Sequence, residues 1–316
     1  MSELSEKSVA PAIAPGVRRR RAILPQNRAK REEWLIGYLF LLPDVLGLLL
    51  FLGVPTVFAI YTSFFSWNGV QSRVFVGLSN YRAMLGDPLF LGSLKVTIFY
   101  MVMFVPSLFI VSLGLALLLV QKIRFRIFFR TAFFLPIVTS GVIVGLVWNF
   151  MYDPQVGILN YLLETVHLPD QSWVGDSGSA LPSLVLTSVW WNAGYYMIIF
   201  LAGLQDIPRD FYEAAHLDGA NSWQSFWNIT WPLLKPTRFF VVVVTVLASF
   251  QVFDLVYIMT QGGPNYATNT TVYYIYDQAF HFQKLGYASA MATALFVILL
   301  IITLIQIRFQ RAGAVS

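Results

Sequence analysis

Six mainly apolar runs alternate with polar, turn-rich stretches along this 316-residue chain. They cover roughly 35–63, 94–120, 131–151, 181–204, 238–260 and 287–307. Each is long enough for a helix that crosses a bilayer core, which takes about 20 residues. The pattern predicts an all-α membrane protein with six transmembrane helices. In the first run Pro43 and Asp44 predict a kink, with Asp44 turned towards protein rather than lipid. In the third, Gly141 and Gly145 offer a small-residue face for close helix packing.

The polar island at 205–236 sits between two of these runs and reads as a helical hairpin. Glu213, Ala214, Ala215 and Leu217 suit a helix, and Gly219 is placed to end or bend it. Asn221 or Ser222 can cap a second helix, which Pro232 and Pro236 close before the next apolar run. On spacing alone this is either a solvated loop or a knob that docks into a groove of another protein.

Composition sharpens the membrane reading. Hydrophobic residues make up 57% of the chain and charged residues 12%, where a soluble domain would carry about 25% charge. No cysteine is present, so disulfides, thiolate metal sites and cysteine nucleophiles are excluded. His167, His216 and His281 lie far apart, without metal-ligand spacing.

Charge sets the topology. Seventeen of the 21 lysines and arginines fall in the N-terminal tail, the 2–3 and 4–5 connections and the C-terminus; only Arg73, Arg82, Lys95 and Lys284 fall on the other side. By the positive-inside rule both termini and the 205–236 loop are cytoplasmic. The net charge of +5 therefore reports topology, not a nucleic-acid partner. Residues 1–33, with Arg18 to Arg21 and three prolines, read as a flexible basic tail. It is no cleavable signal peptide, because the apolar run behind it is too long. Residues 34–310 form the transmembrane domain, and 311–316 a short cytoplasmic tail.

No phosphate-binding Gly-x-x-x-x-Gly-Lys-Ser/Thr loop and no nucleophile–base pairing is readable, so the chain is expected to be no enzyme by itself. Polar and aromatic residues do gather in the fourth and fifth runs. Ser188, Trp191, Asn192 and Tyr195 follow i, i+3, i+4, i+7 spacing and share one helical face. Thr245 and Ser249 share another at similar depth, with Gln251 off that face and Asp254 nearer the outer end. Such faces can line a path for a polyhydroxylated solute, since amides and hydroxyls pair with sugar hydroxyls while rings stack on the apolar sugar face. The plainer alternative is helix packing, with the hydroxyls bonded to their own backbone.

Glu213-Ala214-Ala215, Asp218-Gly219-Ala220, Phe226, Ile229, Pro232 and Pro236 resemble the EAA loop of permease subunits in binding-protein-dependent ABC importers. Val76-Gly77-Leu78-Ser79-Asn80-Tyr81 and Thr260-Gln261-Gly262-Gly263-Pro264 resemble stretches of the sugar and glycerol-phosphate branch of that family. The resemblance spans roughly 35–307 and implies a type I ABC importer permease fold in the bacterial cytoplasmic membrane. It implies that Glu213, Ala214, Ala215, Asp218, Gly219 and Ala220 belong to a coupling helix seated on a separate ATPase. There Glu213 would be the charge partner of a basic ATPase residue, and Asp218 would cap locally. ATP-Mg would sit in that ATPase dimer, with no cofactor in this chain. Further implied partners are a second homologous permease, an extracytoplasmic solute-binding protein, a small-molecule solute and membrane lipid. The expected solute is a sugar or polyol. The alternatives are glycerol 3-phosphate or a glycerophosphodiester and, from another class, an ion-coupled secondary carrier using Asp44 and Asp254.

Overall fold

The computed structural model describes residues 26–121 and 123–312. The Arg18–21 cluster and the end of the C-terminal tail lie outside them. The chain divides into two units, Met1–Thr56 and Val57–Ser316.

The described part of the first unit is helical. Helix α1 (Gln26–Leu48) runs into a π-helical turn at Leu49–Gly53 and then into α2 (Val54–Thr62). α1 starts directly after Pro25, inside the segment read as a tail, because no further proline interrupts the chain until Pro43. Pro43 lies within α1, and Asp44 is exposed rather than packed against this chain.

The second unit opens with a two-stranded antiparallel ribbon, β1 (Phe65–Ser66) and β2 (Val74–Phe75), followed by α3 (Ser79–Leu85). Asn80 donates to the carbonyls of Ser63 and Phe65 at 2.8 and 3.0 Å, and Tyr81 shares a 2.6 Å hydrogen bond with Ser63. That explains the Asn-Tyr pair physically: it ties α3 to the end of the preceding helix. Long helix α4 (Pro88–Val120) is capped by Asp87, whose carboxylate accepts from Leu89 N–H. Next come α5 (Arg126–Val138), α6 (Gly141–Met151), α7 (Ile158–Thr165), α8 (Ala180–Gln205), α9 (Arg209–Leu217), α10 (Ser222–Ser225), α11 (Trp231–Leu233) and α12 (Lys235–Phe250). The chain closes with α13 (Thr271–Tyr276) and α14 (Leu285–Ala312).

Among the described residues, four stretches are long and apolar enough to cross a membrane: Glu32–Thr62, Pro88–Val120, Ala180–Gln205 and Leu285–Arg308. Two bent pairs raise the number to six if each pair is one span. The expected third span is therefore not one straight helix. It breaks after Val138 and turns by 101° into α6. Pro136 withdraws a backbone donor from the last turn of α5, and Thr139 is extended. The other pair, Ser222–Leu233 and Lys235–Phe250, bends by 66°. The fifth apolar run divides again at Gln251, and a π-helical turn covers Val256–Thr260.

The main core lies where α4, α8 and α12 meet, around Tyr100, Phe104, Leu108, Met197, Phe200 and Val241. Small residues permit the close crossings. A Cβ on Gly194 of α8 would stand 1.8 Å from the Phe133 carbonyl oxygen of α5, so only glycine fits there. Gly141 and Gly145 also face neighbours closely, the first against Trp191 and Asp254, the second against Ile258.

Candidate functional site

Two regions hold the residues singled out by sequence. The first is the hairpin at 205–236. Glu213, Ala214 and Ala215 lie on α9, and Asp218 closes it. Gly219 takes φ +79°, donating to His216 O at 3.1 Å, while Ala220 N–H reaches Ala215 O at 2.9 Å. This double closure is a Schellman cap, and the left-handed residue in it is why glycine is there. Asn221 then caps α10: its side chain accepts from Gln224 N–H, and the Gln224 side chain accepts from Asn221 N–H, both at 2.9 Å. Tyr212 and Thr230 share a 2.9 Å hydrogen bond that ties the two arms together. Glu213 is exposed and joins no ion pair among the described residues.

Sequence reasoning missed the loop's apolar face. Leu217 is 88% exposed and Trp223 69%, one on each side of the Gly219 turn, with Phe211 half exposed nearby. Such side chains do not serve the core; they leave an apolar surface around an exposed carboxylate. The readable signal was a leucine and a tryptophan flanking a glycine cap in an otherwise polar loop. Behind it, Phe226 meets Trp227 edge-on and Trp227 meets Trp231 at a tilt, and the Arg238 guanidinium lies 3.7 Å from the Trp231 ring centroid. An aromatic and cationic belt of this kind suits a membrane–water boundary.

The second region is a cavity of about 290 Å³ between α4, α8 and the chain just after α12. It brings together Ser188, Trp191, Asn192 and Gln251 with Tyr100, Phe104 and Asp254. Tyr100 donates to Ser188 Oγ at 2.7 Å, Ser188 donates to Leu184 O, and the Asn192 amide donates to Ser188 O at 2.8 Å. The Trp191 indole N–H reaches the Thr139 carbonyl at 3.2 Å and so braces the break between α5 and α6. Asp254 packs against Gly141, the first residue of α6, where its negative charge also complements the helix dipole. Tyr195, 43% exposed, does not line this cavity. Nor do Thr245 and Ser249, which are buried and donate to Val241 O and Val246 O of their own helix. Tyr100 was missed because it comes from a distant helix that the spacing rule does not reach.

No group of three or more His, Cys, Asp or Glu residues able to hold a metal ion occurs among the described residues.

The comparisons with known proteins agree with this architecture. Residues 96–312 match the family model described as binding-protein-dependent transport system inner membrane component. The probable ABC transporter permease protein YurN of Bacillus subtilis is 37% identical over 287 residues, covering 89% of this chain and 98% of that one. The probable starch degradation products transport system permease protein AmyD of Thermoanaerobacterium thermosulfurigenes is 34% identical, covering 85% and 92%. The sn-glycerol-3-phosphate transport system permease protein UgpA of Agrobacterium fabrum is 36% identical, covering 87% and 94%. The same fold occurs in the crystal structure of a bacterial ABC transporter involved in import of the acidic polysaccharide alginate: TM-score 0.79 at 24% identity, over 90% of this chain and 98% of that one. The chain belongs to the inner membrane permease components of binding-protein-dependent ABC transport systems.

Proposed function

We propose that this permease subunit carries a sugar or related polyol through an ATP-driven importer in the bacterial cytoplasmic membrane. The broken stretch Arg126–Met151 counts as one span and the fifth run, 238–260, as another that begins beyond the 205–236 loop, giving six, with both termini cytoplasmic and residues 34–310 as the transmembrane domain. The 205–236 loop is the coupling helix. Glu213, with Leu217 and Trp223 around the Gly219 turn, faces a separate ATPase that holds ATP-Mg. A second homologous permease completes the pore, and an extracytoplasmic binding protein delivers solute. Ser188, Trp191, Asn192 and Gln251 line the path beside Tyr100, while Thr245, Ser249 and Tyr195 shape its walls from outside the cavity.

One observation carries the choice of solute. No lysine or arginine lines the 290 Å³ cavity, and its one carboxylate is Asp254. A phosphorylated or otherwise anionic solute would meet a like charge there and no guanidinium or ammonium, whereas amides and an indole suit neutral hydroxyls and sugar rings. The relatives named for starch degradation products and for glycerol 3-phosphate span both options, and the cavity's charge favours the first.

The test is uptake by the importer reconstituted with its ATPase and binding protein. Asn192→Ala with Gln251→Ala should slow uptake of a neutral sugar at least tenfold while ATPase co-purification persists; Glu213→Ala with Gly219→Asp should lose the ATPase instead. Glycerol 3-phosphate carried as fast as any neutral sugar would sink the solute assignment. Uptake by the lone chain without ATP would sink the importer reading itself.

A further inference from the structure

A second and larger cavity lies apart from the one assigned to solute. It measures about 810 Å³ and is bounded by the ends of α4 and α8, the start of α5 and the inner side of α9 and α10. Arg126, Arg209 and His216 line it together with Ser222 and Ser225. Among the described residues no carboxylate does: Asp206, Asp210, Glu213 and Asp218 belong to the same loop, yet none contributes to the lining. Among the described residues neither arginine is paired with a carboxylate.

Arg126 is half-buried and Arg209 exposed, so both keep contact with water, and the positive wall they share, with no carboxylate in it, attracts an anion. Each arginine also opens a helix, Arg126 for α5 and Arg209 for α9, so each stands at a positive helix end. One turn along α5, Nε and Nη2 of Arg130 are shut away from solvent with no hydrogen-bond partner, which deepens the local excess of positive charge. The volume exceeds what a single side-chain carboxylate needs and falls within the range of small-molecule sites. Guanidiniums bind phosphate oxygens in pairs, and the two serine hydroxyls add neutral donors.

We infer that this cavity binds a phosphate-bearing anion, held by Arg126 and Arg209 and wedged between the helix bundle and the 205–236 hairpin. An occupant there touches α9 and α10 directly, so it stiffens the hairpin against the bundle. The phosphate can belong to a lipid headgroup or to a soluble phosphorylated compound. The solute cavity shares none of these residues, so failure here leaves the sugar assignment untouched.

The test uses the full chain in the complex purified from its own membrane, placed in phosphatidylcholine nanodiscs with or without phosphatidylglycerol. Native mass spectrometry counts retained phosphatidylglycerol in one arm, and phosphorus NMR follows added inorganic phosphate in the other. The pair Arg126→Gln with Arg209→Gln should weaken binding roughly tenfold or more per guanidinium removed, while the corresponding lysine pair keeps most of it. Retention of phosphatidylglycerol alone assigns a lipid headgroup; binding of free phosphate as well assigns a soluble ligand. Equal binding by wild type and the glutamine pair in both arms overturns the inference. So does binding that appears only after the partner subunits are stripped away, since a partner then fills the cavity. Should the glutamine pair fail to assemble, the single Arg209→Gln variant on exposed α9 gives the same reading.

Discussion

Helices α8 and α14 are both long enough to cross a bilayer, and they spend their apolar residues in opposite ways. An 18-residue window of the Ala180–Gln205 span has a mean hydropathy of 1.4, yet 61% of that window is buried within the protein. The corresponding window of Leu285–Arg308 is more apolar at 2.6, and only 22% of it is buried. In water the more apolar helix would be the inner one. Here the apolar solvent is lipid, so leucine and isoleucine are free to face outward, while glycine, serine and asparagine mark the inner contacts. Hydropathy finds the spans; departures from it find the core.

The largest effect that could break this contrast lies at Gly194. Gly194→Val should cost about 3 kcal/mol, because the new side chain collides with the α5 backbone. Thermal unfolding in mild detergent measures it. The control is Gly114 of α4, where an added Cβ would meet nothing within 4 Å. Alanine there should stabilise by about 0.5–1 kcal/mol. If both changes behave alike, the close crossing of α5 and α8 is not where the structure puts it.

A smaller effect tests how α14 is tethered. Asp87 accepts from Tyr274 and from Tyr287 near the start of α14, at 2.7 and 2.8 Å. Burial pushes its carboxyl up, but those hydroxyls and the backbone N–H groups of Leu89 and Phe90 hold it, on balance, below the ordinary range. A folded pKa below the unfolded one means the stabilisation is full above the ordinary carboxylate range and is lost as pH falls through the folded value. Wild type should therefore lose stability on acidification through that window, and Asp87→Asn should start lower and show a flatter dependence. Parallel pH profiles would show that the carboxylate does not carry the tether. The smallest effect belongs to Leu300→Ala on the outward face of α14, where Leu300 is 47% exposed: a change within about 0.5 kcal/mol by the same unfolding assay.

Much of this was legible in the letters. The first, second, fourth and sixth apolar runs announced the four long apolar helical stretches, Gly219 announced the end of α9, and Asn221 announced the start of α10. The 101° break was harder to see, since Thr139 and Ser140 make only a short polar interruption after Pro136 in an apolar run. Helical spacing grouped Ser188, Trp191 and Asn192, which line one cavity, with Tyr195, which lies one turn on and outside it. For Thr245 and Ser249 the alternative of hydroxyls bonded to their own helix describes the observed geometry. Spacing fixes which residues share a face, and only packing against α4 decides which face looks inward. Tyr100 and the cation-lined cavity beside α9 needed contacts between helices far apart in sequence, which no local pattern carries.

The hairpin's two caps reach beyond its own geometry. The end of α9 is closed by Gly219 and Ala220, the start of α10 by Asn221 and Gln224, and the two arms are joined through Tyr212 and Thr230. Every one of these bonds is made within the segment itself. Such a piece carries its own shape, so a hairpin grafted from one permease into another should keep its fold.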